Sequence, residues 1–333
     1  MDEQLELINK IEANFVNIIK AAFPQIFIRR WGSSGPHFDA SFATENQYFK
    51  NTEYYYNETT QFFHLTSIQN LFSIINSRNI RLYNLHNSSD PEEYSFAASQ
   101  LELTQNQIDY RKSNIYTFSF CPFNDLSNIK IWETYGRNFT GAAIVFEIIN
   151  DIEKWNNFHL SKLHYSLSPK ISQYVQDIKL LKQKYPYCTF YLNLEKLLGF
   201  HKTENWAEEN EVRILTYSPY DLQEERLKYI KKELKIENGR NRICEYINMP
   251  LWVDNSSRYL ECSEANLNLD RRQTLPTDDF FIKQPKIKIN TILFGQNCGL
   301  TPLEYRKFKF EIENMFKYNY GYNLKMDENM YHC

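Results

Sequence analysis

Residues 64–83, HLTSIQNLFSIINSRNIRLY, decide the fold. The segment opens on the end of an apolar strand with His64 and Thr66 at polar positions, and Thr66 or Ser67 can cap the helix that follows. Apolar residues then recur at helical spacing up to Asn79, whose side chain tolerates the left-handed conformation that ends helices. The pattern therefore predicts strand, helix and strand. Its polar pair stands at a strand-to-helix junction, where backbone N–H groups favour an anionic ligand.

The composition is that of a globular protein. Of 333 residues, 42% are hydrophobic and 24% are charged, which excludes a disordered chain. The formal net charge of −3 gives no overall attraction to nucleic acid or to an anionic membrane. Apolar runs, N-terminal residues and cysteine spacing predict no membrane span, no secretory leader and no metal site. We therefore expect a cytoplasmic protein with reduced thiols and no membrane partner.

The chain divides into three predicted segments. An amphipathic helix over residues 5–23 and an irregular, loop-rich lead-in make up residues 1–60. The strand and helix patterns that follow predict one main domain over residues 61–320, and residues 321–333 are interpreted as a C-terminal tail. We therefore expect a single large domain preceded by a helix and a lead-in.

Inside the main domain, several patterns carry specific expectations. They predict helical material broken at a proline over residues 171–200, a highly charged helix over residues 221–236, a strand over residues 241–253 and a loop over residues 271–281. Asp90, Pro91 and Glu93 are typical of a helix start, because an acidic cap precedes a proline and a further carboxylate can reach back. Asp90 can also face the same cleft as His64, since its loop returns from the neighbouring strand.

Polar side chains recur at strand ends or on strands in three places. His64 and Thr66 come first, Ser119 follows in the strand pattern YTFSF, and Glu209-x-Glu211 enters a late strand. This order of histidine, small hydroxyl and glutamate pair resembles the three-motif layout of ADP-ribosyltransferases. The glutamate pair is similar to the version in enzymes that modify arginine or other nucleophilic side chains. The resemblance implies an α+β fold with an ADP-ribosyltransferase-like split mixed β-sheet core, surrounding helices and an N-terminal helix.

Most of residues 61–316 also resembles a bacterial family of domains of unknown function found near phage-defence and abortive-infection genes. The family pattern is Tyr-His-Tyr-Thr-Ser, Asn-Asp-Pro-x-Glu, a Phe-Ser-x-Ser strand, a Trp-x-x-Tyr-Gly helix, Lys…Trp…Glu-x-Glu-x-Arg and a terminal Ile-x-Ile-x-Gly. The chain offers, in the same order, FHLTS, SSDPEE, TFSF, WETYG, Lys202…Trp206…Glu209-x-Glu211-x-Arg213 and ILFG. It departs from the pattern at Leu65, Phe120 and Val212, beside the motif positions, which affects specificity more than chemistry.

The resemblance to ADP-ribosyltransferases implies that NAD is the substrate. Cleavage of its nicotinamide–ribose bond passes through an oxocarbenium-like state, which a fixed carboxylate stabilises. Glu211 is expected to be that carboxylate, while Glu209 orients the acceptor or a ribose hydroxyl and His64 bonds the adenosine ribose. Arg213 binds a phosphate of NAD or, more simply, pairs with one of the two glutamates. The other expected contacts of NAD are Thr66, Tyr83, Ser119 and Tyr135, with Ser119 supporting the glutamate.

Two classes of function follow from these features. The first is an NAD-consuming toxin or phage-defence effector that transfers ADP-ribose to a macromolecular acceptor, protein or nucleic acid, or to water, and that an antitoxin or defence-system partner controls. The second is a non-catalytic binding or sensor module of a defence system that recognises a nucleotide or a protein. A metal-dependent nuclease is disfavoured, because the acidic residues are not grouped in a two-metal pattern.

Overall fold

A computed structural model describes residues 2–88, 90, 92–101, 103–217, 230–237, 240–252 and 284–326. The α-helices are α1 (Asp2–Ala22), α2 (Ile68–Ser77), α3 (Ser95–Ser99), α4 (Gln105–Lys112), α5 (Ile129–Thr134), α6 (Pro169–Lys184), α7 (Glu195–Leu198) and α8 (Pro302–Met315). The strands are β1 (Ile28–Ser34), β2 (His37–Phe42), β3 (Gln61–Thr66), β4 (Asn79–Asn84), β5 (Ile115–Pro122), β6 (Ala142–Ile148), β7 (Phe158–Lys162), β8 (Thr189–Asn193), β9 (Val212–Tyr217), β10 (Ile230–Glu237), β11 (Arg240–Pro250), β12 (Ile287–Phe294) and β13 (Lys325–Met326).

The main sheet branches at β5. One edge of β5 pairs antiparallel with β9, which pairs in turn with β7. The opposite edge is shared, because β4 pairs with its beginning and β3 with its end. From β4 the sheet continues through β11 to β10, and from β3 it continues through β6 and β12 to β13. The fold is thus mixed α+β, with a curled antiparallel sheet and surrounding helices, as the sequence predicts at this level.

The segment that opens the main domain folds as its pattern predicts. Ser67 caps α2 by accepting a hydrogen bond from the Asn70 amide at 3.1 Å. The residue that ends the helix is Arg78, with φ of 54°, and not Asn79, which begins β4. The helix therefore ends one residue earlier than its asparagine suggests.

A second layer is formed by the three-stranded sheet β1–β2–β8 and by α1 and α6. The predicted N-terminal helix is confirmed, and its apolar face, including Phe15 and Ile19, is buried. The loop-rich lead-in is wrong for residues 28–42, which form a β-hairpin. The helical prediction is also wrong at Thr189–Asn193, because β8 pairs in parallel with β2. Such pairing between distant segments overrides local propensity.

The predicted charged helix is also corrected where the structure describes it. Residues 230–236 belong to β10, which pairs with β11 in a register that sets Glu237 opposite Arg240. The missed signal is the Asn238-Gly239 pair, since this dipeptide is typical of two-residue hairpin connections. β11 confirms the strand expected over residues 241–253 as far as Pro250. Residues 221–229 and the loop predicted over residues 271–281 lie outside the described residues.

The last described residues are part of the core. β13 pairs in parallel with β12, and the side chains of Tyr322, Leu324 and Met326 are buried against the main sheet. Up to residue 326, the predicted C-terminal tail therefore packs on the domain.

Candidate functional site

A cleft of about 340 Å³ opens where the main sheet divides. On this edge, β4 pairs with residues 116–117 of β5 and β3 pairs with residues 121–122. Residues 118–120 of β5 therefore lie between the two branches of the sheet, and the cleft opens beside them. A volume of this size is at the lower end of the range for small-molecule sites. The sequence-predicted residues that line the cleft are His64, Tyr83, Ser119, Tyr135, Glu209, Glu211 and Arg213.

Thr66 is the predicted site residue that the structure keeps out of the cleft. It stands at the end of β3 opposite Ala142, and only 7% of it is exposed. Two residues along a strand correspond to roughly 6.6 Å, so Thr66 lies beyond the opening that His64 faces. Thr66 therefore does not line the cleft, and its expected contact with NAD stays a prediction.

The two glutamates of the E-x-E motif are set by a turn. Glu209 closes a 3-10 helix over Glu204–Glu209, and Glu211 leads directly into β9. Asn210 between them has φ of 44°, a left-handed conformation that asparagine tolerates, and its side-chain amide donates to Asp125 at 2.7 Å. This turn delivers both carboxylates to one end of the cleft.

Glu211 is a buried anion held by three side chains. The Ser119 hydroxyl donates to its Oε1, and Arg213 donates to the same oxygen from Nε at 3.0 Å and from Nη2 at 2.8 Å. Lys202 Nζ lies 3.4 Å from Oε2, and the side chain is 7% exposed. Burial alone would raise the pKa of Glu211, but the charges of Arg213 and Lys202 outweigh it and lower the pKa. Glu211 is therefore ionised at neutral pH.

Glu209 differs from its neighbour. The Tyr135 hydroxyl donates to its Oε1, and Lys202 Nζ lies 2.8 Å from Oε2. Burial and then the charge of Glu211 raise the pKa of Glu209 to about 8. The charge of Arg213 lowers the pKa of Glu209, but by less than burial and Glu211 raise it. Lys202 is shared between both carboxylates. The site thus holds an anion beside a carboxyl group that can carry a proton, an arrangement that separates acid from base.

His64 is oriented by the backbone of β5. Its Nδ1 lies 3.0 Å from the Ser119 carbonyl oxygen, which can only accept, so we assign the proton to Nδ1. Burial lowers the pKa of His64, and the ring is neutral at pH 7. Its ring packs against Phe118 at 4.7 Å between centroids. The Nε2 lone pair of this tautomer is an acceptor for a hydroxyl or an N–H of a ligand.

Arg213 joins Glu211 to a third carboxylate. Its Nη2 donates to Glu93 as well as to Glu211, and its Nη1 donates to the Gly199 carbonyl at 2.9 Å. The Arg213 side chain is 3% exposed, so of the two roles expected for it, the structure shows the ion pair. An arginine fully engaged in this way serves to fix the position of Glu211.

The structure corrects the capping role expected of Asp90 and Glu93. Glu93 accepts hydrogen bonds from Arg213 and Ser88, and α3 begins only at Ser95 with Tyr94 as its N-cap residue. Asp90 accepts from the Glu92 amide at 2.9 Å, is 7% exposed and does not line the cleft. The local acidic pattern was therefore a poor guide, because the partner of Glu93 lies 120 residues away.

Three residues of the cluster are not among the site residues that the sequence predicts. The sequence around Glu93 is typical of a helix cap, and Lys202 is a motif position for which the sequence predicts no contact. Tyr165 accepts a hydrogen bond from the Glu211 amide at 3.0 Å, and no local pattern distinguishes it from the other tyrosines of this chain. The spacing of Lys202 before the glutamates was the one usable signal, and its ammonium also lies over the Trp206 ring at 4.7 Å.

A larger cavity lies elsewhere. It measures about 820 Å³, lies over the β1–β2–β8 sheet, and is lined by none of the predicted site residues. We take the smaller cleft as the candidate active site, because groups with shifted pKa values converge there.

In the part of the chain that the structure describes, no group of His, Cys, Asp and Glu could hold a metal ion. Within the same residues, every helix is too short or too polar to cross a membrane.

Comparison with known proteins gives one match. Residues 131–214 match the family described as Protein of unknown function (DUF2971). The matched segment begins in α5 and ends in β9, and it contains Lys202, Glu209, Glu211 and Arg213. No curated protein and no solved structure matches the chain. The expectation of a domain of unknown function is confirmed only at this level, by a match over residues 131–214.

Proposed function

We propose that this protein is an NAD-consuming ADP-ribosyltransferase-like enzyme that cleaves the nicotinamide–ribose bond and transfers ADP-ribose to a macromolecule. The observation that carries the proposal is the convergence of His64, Ser119 and Glu211 where the sheet splits. These residues come from β3, from β5 and from the entrance to β9, and Ser119 contacts both of the others. Their order along the chain is that of the three-motif layout that the sequence resembles, and their meeting in one cleft supports the proposal.

The electrostatics of the cleft suit the bond that would be broken. Loss of nicotinamide leaves positive charge on the ribose, and an anion fixed in advance stabilises that charge without reorganisation. Glu211 is such an anion, because Arg213, Ser119 and Lys202 hold it in place. His64 would accept a hydrogen bond from a ribose hydroxyl through Nε2. Glu209 would orient the acceptor, and Tyr83 and Tyr135 would provide ring surfaces for NAD.

The biological setting rests on the motif resemblance. We propose a toxin or phage-defence effector that acts in the cytoplasm, on a protein or nucleic-acid acceptor, under the control of an antitoxin or defence-system partner. Induced expression in a bacterial host tests this part. Growth arrest by the wild type that Glu211→Gln abolishes supports it, and equal growth of cells expressing the two proteins contradicts it.

The chemistry is tested with NAD labelled on the adenylate. Purified protein is incubated with this NAD and a cell lysate, while nicotinamide release and label transfer are followed together. We expect Glu211→Gln to lose roughly 100-fold or more in rate, as is typical when a placed electrostatic group is removed. Glu208→Gln is the matched control, because the Glu208 side chain is 72% exposed and pairs with Lys130 on the surface.

Two results would overturn the proposed chemistry. One is the absence of nicotinamide release from the folded wild type in the presence of lysate acceptors. The other is equal release from the wild type and a folded Glu211→Gln variant. Label that stays on free ADP-ribose would identify water as the acceptor.

A non-catalytic binding or sensor module is the second candidate, and one observation favours it. Both carboxylate oxygens of Glu211 accept hydrogen bonds, and its side chain is 7% exposed. These features are typical of an ion pair that stabilises the fold. In that case NAD or another nucleotide binds the cleft without turnover. Calorimetric binding of NAD that remains intact, as assayed afterwards, would favour this second function.

A further inference from the structure

The polar face of the β1–β2–β8 sheet forms the floor of the 820 Å³ cavity. The strand registers set Arg30 opposite Ser41 and Ser41 opposite Asn193. Residues paired in this way point to the same face, so these three make one polar row across the sheet. Phe38, on an alternate position of β2, is buried and does not line the cavity. The sheet thus presents a row of polar side chains to the cavity.

A β-bulge directs two consecutive arginines into this cavity. Ile28 pairs with Phe42 and Arg30 pairs with Ser41, so β1 contains one extra residue, Arg29, at this point. In a regular strand, neighbouring side chains point to opposite faces, but a bulge redirects them. Arg29 and Arg30 therefore both line the cavity. Bulges that redirect side chains are common beside functional sites.

The cavity lining also contains a buried lysine. Lys196, on α7, lines the cavity and is 7% exposed. Burial and then the charge of Lys196 hold the pKa of the neighbouring His159 well below its ordinary value, so this histidine adds no charge nearby. Asn193 Oδ1 is a buried atom with no hydrogen-bond partner among the described residues. A ligand donor that reached this oxygen would remove the cost of leaving it unsatisfied.

The charge of the cavity is positive. Its lining includes Arg29, Arg30 and Lys196 against one acidic residue, Asp39. A second carboxylate, that of Glu45, lies beside the arginines and accepts a hydrogen bond from the Thr44 amide at 3.1 Å. The net charge of these side chains stays positive when Glu45 is included. Arg29 Nη1 donates to the Thr44 hydroxyl at 3.1 Å. Among the described residues this is its one side-chain hydrogen bond, and its other guanidinium nitrogens can donate to an anion.

We propose that this cavity binds a nucleoside phosphate. Arginine forks and a lysine are the side chains that recognise phosphate groups. The amides of Asn156 and Asn193 supply donors and acceptors for a sugar or base, and Phe42 and Phe49 supply apolar lining. The volume accommodates a ligand of that size. This second site is independent of the proposed chemistry in the sheet cleft.

Calorimetry on the full-length protein tests the proposal, with ATP and inorganic pyrophosphate as separate probes. We expect both to bind, ATP more tightly, and both less tightly at high salt. Arg30→Gln changes an exposed side chain and should weaken ATP binding about tenfold or more, as loss of a charge-assisted hydrogen bond does. Lys196→Met, checked for folding by circular dichroism, should do the same.

The matched control is Arg81→Gln, which removes an arginine that lines the sheet cleft. Because ATP shares its ADP part with NAD, this control shows which cavity the probe occupies. Binding that survives Arg81→Gln and weakens in Arg30→Gln supports the second site. The proposal is overturned if neither probe binds at millimolar concentration, or if Arg81→Gln abolishes binding while Arg30→Gln does not. Equal affinity for ATP and pyrophosphate would refute recognition of the nucleoside.

Discussion

Ser119 and Glu211 meet across the β5–β9 pair, where the serine hydroxyl donates a hydrogen bond to the carboxylate. Ser119 stands opposite Arg213 in the register, so Glu211 is its diagonal neighbour. The carbonyl oxygen of the same serine accepts from His64. One residue of β5 therefore connects the histidine of one sheet branch to the carboxylate that enters β9.

The first prediction concerns this serine. Ser119→Ala removes one of the donors that hold Glu211, and we expect nicotinamide release to fall about tenfold while the free energy of unfolding changes by about 1 kcal/mol. Steady-state release assays and urea unfolding measure the two effects. Ser119→Thr keeps the hydroxyl and should keep most of the activity. Wild-type rates in Ser119→Ala would show that the serine does not act through Glu211.

The second prediction is a pH dependence of stability. The pKa of Glu209 is raised by burial and by Glu211 to about 8 in the folded chain, from an ordinary value of 4.5. Between these values the folded state binds more protons than the unfolded state. Stability must therefore fall as pH rises through this window, by at most about 1.4 kcal/mol per pH unit. Urea unfolding at intervals across the window should show this slope in the wild type.

Glu209→Gln provides the control for that slope, because the amide does not titrate. The variant should lose the part of the pH dependence that Glu209 contributes, and the difference from the wild type should grow towards the alkaline end. Parallel curves for the two proteins across the window would mean that Glu209 titrates at its ordinary pKa in the folded state.

Local patterns predicted the elements that local chemistry decides. The stretch around α2 was predictable because Ser67 caps the helix and apolar residues such as Leu71 and Ile75 keep helical spacing. The polar and apolar alternation of His37–Phe42 was present as well, but the parallel partner of β2 lies in β8, about 150 residues later. Such partners do not show in a local window, and so this layer was missed.

The residues of the candidate site also separate into those that local sequence predicts and those that depend on distant partners. His64, Ser119 and Glu211 were predictable because each stands on or beside a strand with a recognisable pattern. Glu93 was misinterpreted, since its sequence neighbours suggest a helix cap while its partner Arg213 comes from β9. Thr66 was included because it is two residues from His64, and strand geometry takes it past the cleft.

The third prediction concerns the buried ion pairs of Arg213. Arg213→Met leaves Glu211 and Glu93 without their shared cation, and we expect a loss of about 3 to 5 kcal/mol in the free energy of unfolding. Lys130→Met is the matched control, since both side chains of the Lys130–Glu208 pair are more than two-thirds exposed. Such a surface pair contributes less than about 1 kcal/mol. Equal losses in the two variants would show that Arg213 is solvated like a surface residue.

The fourth prediction concerns the glycine of the ILFG motif. Arg137, Asn138 and Phe139 all have positive φ, and this turn packs on Gly295, whose amide donates to the Gly141 carbonyl at 2.9 Å. A Cβ added at Gly295 would overlap the backbone carbonyl of Phe139. Gly295→Ala must therefore displace the turn, and we expect a loss of about 1 to 3 kcal/mol in the free energy of unfolding.

Gly32→Ala is the control for Gly295→Ala, because the added methyl group at Gly32 causes no clash. A Cβ at Gly32 in β1 meets open space, and this glycine does not have a positive φ. Alanine there restricts the unfolded chain without a clash, so stability should stay unchanged or rise by about 0.4 to 1 kcal/mol. Urea unfolding of both variants decides the point. If the two variants have the same urea midpoint of unfolding, the turn over residues 137–139 does not depend on close approach to the end of β12.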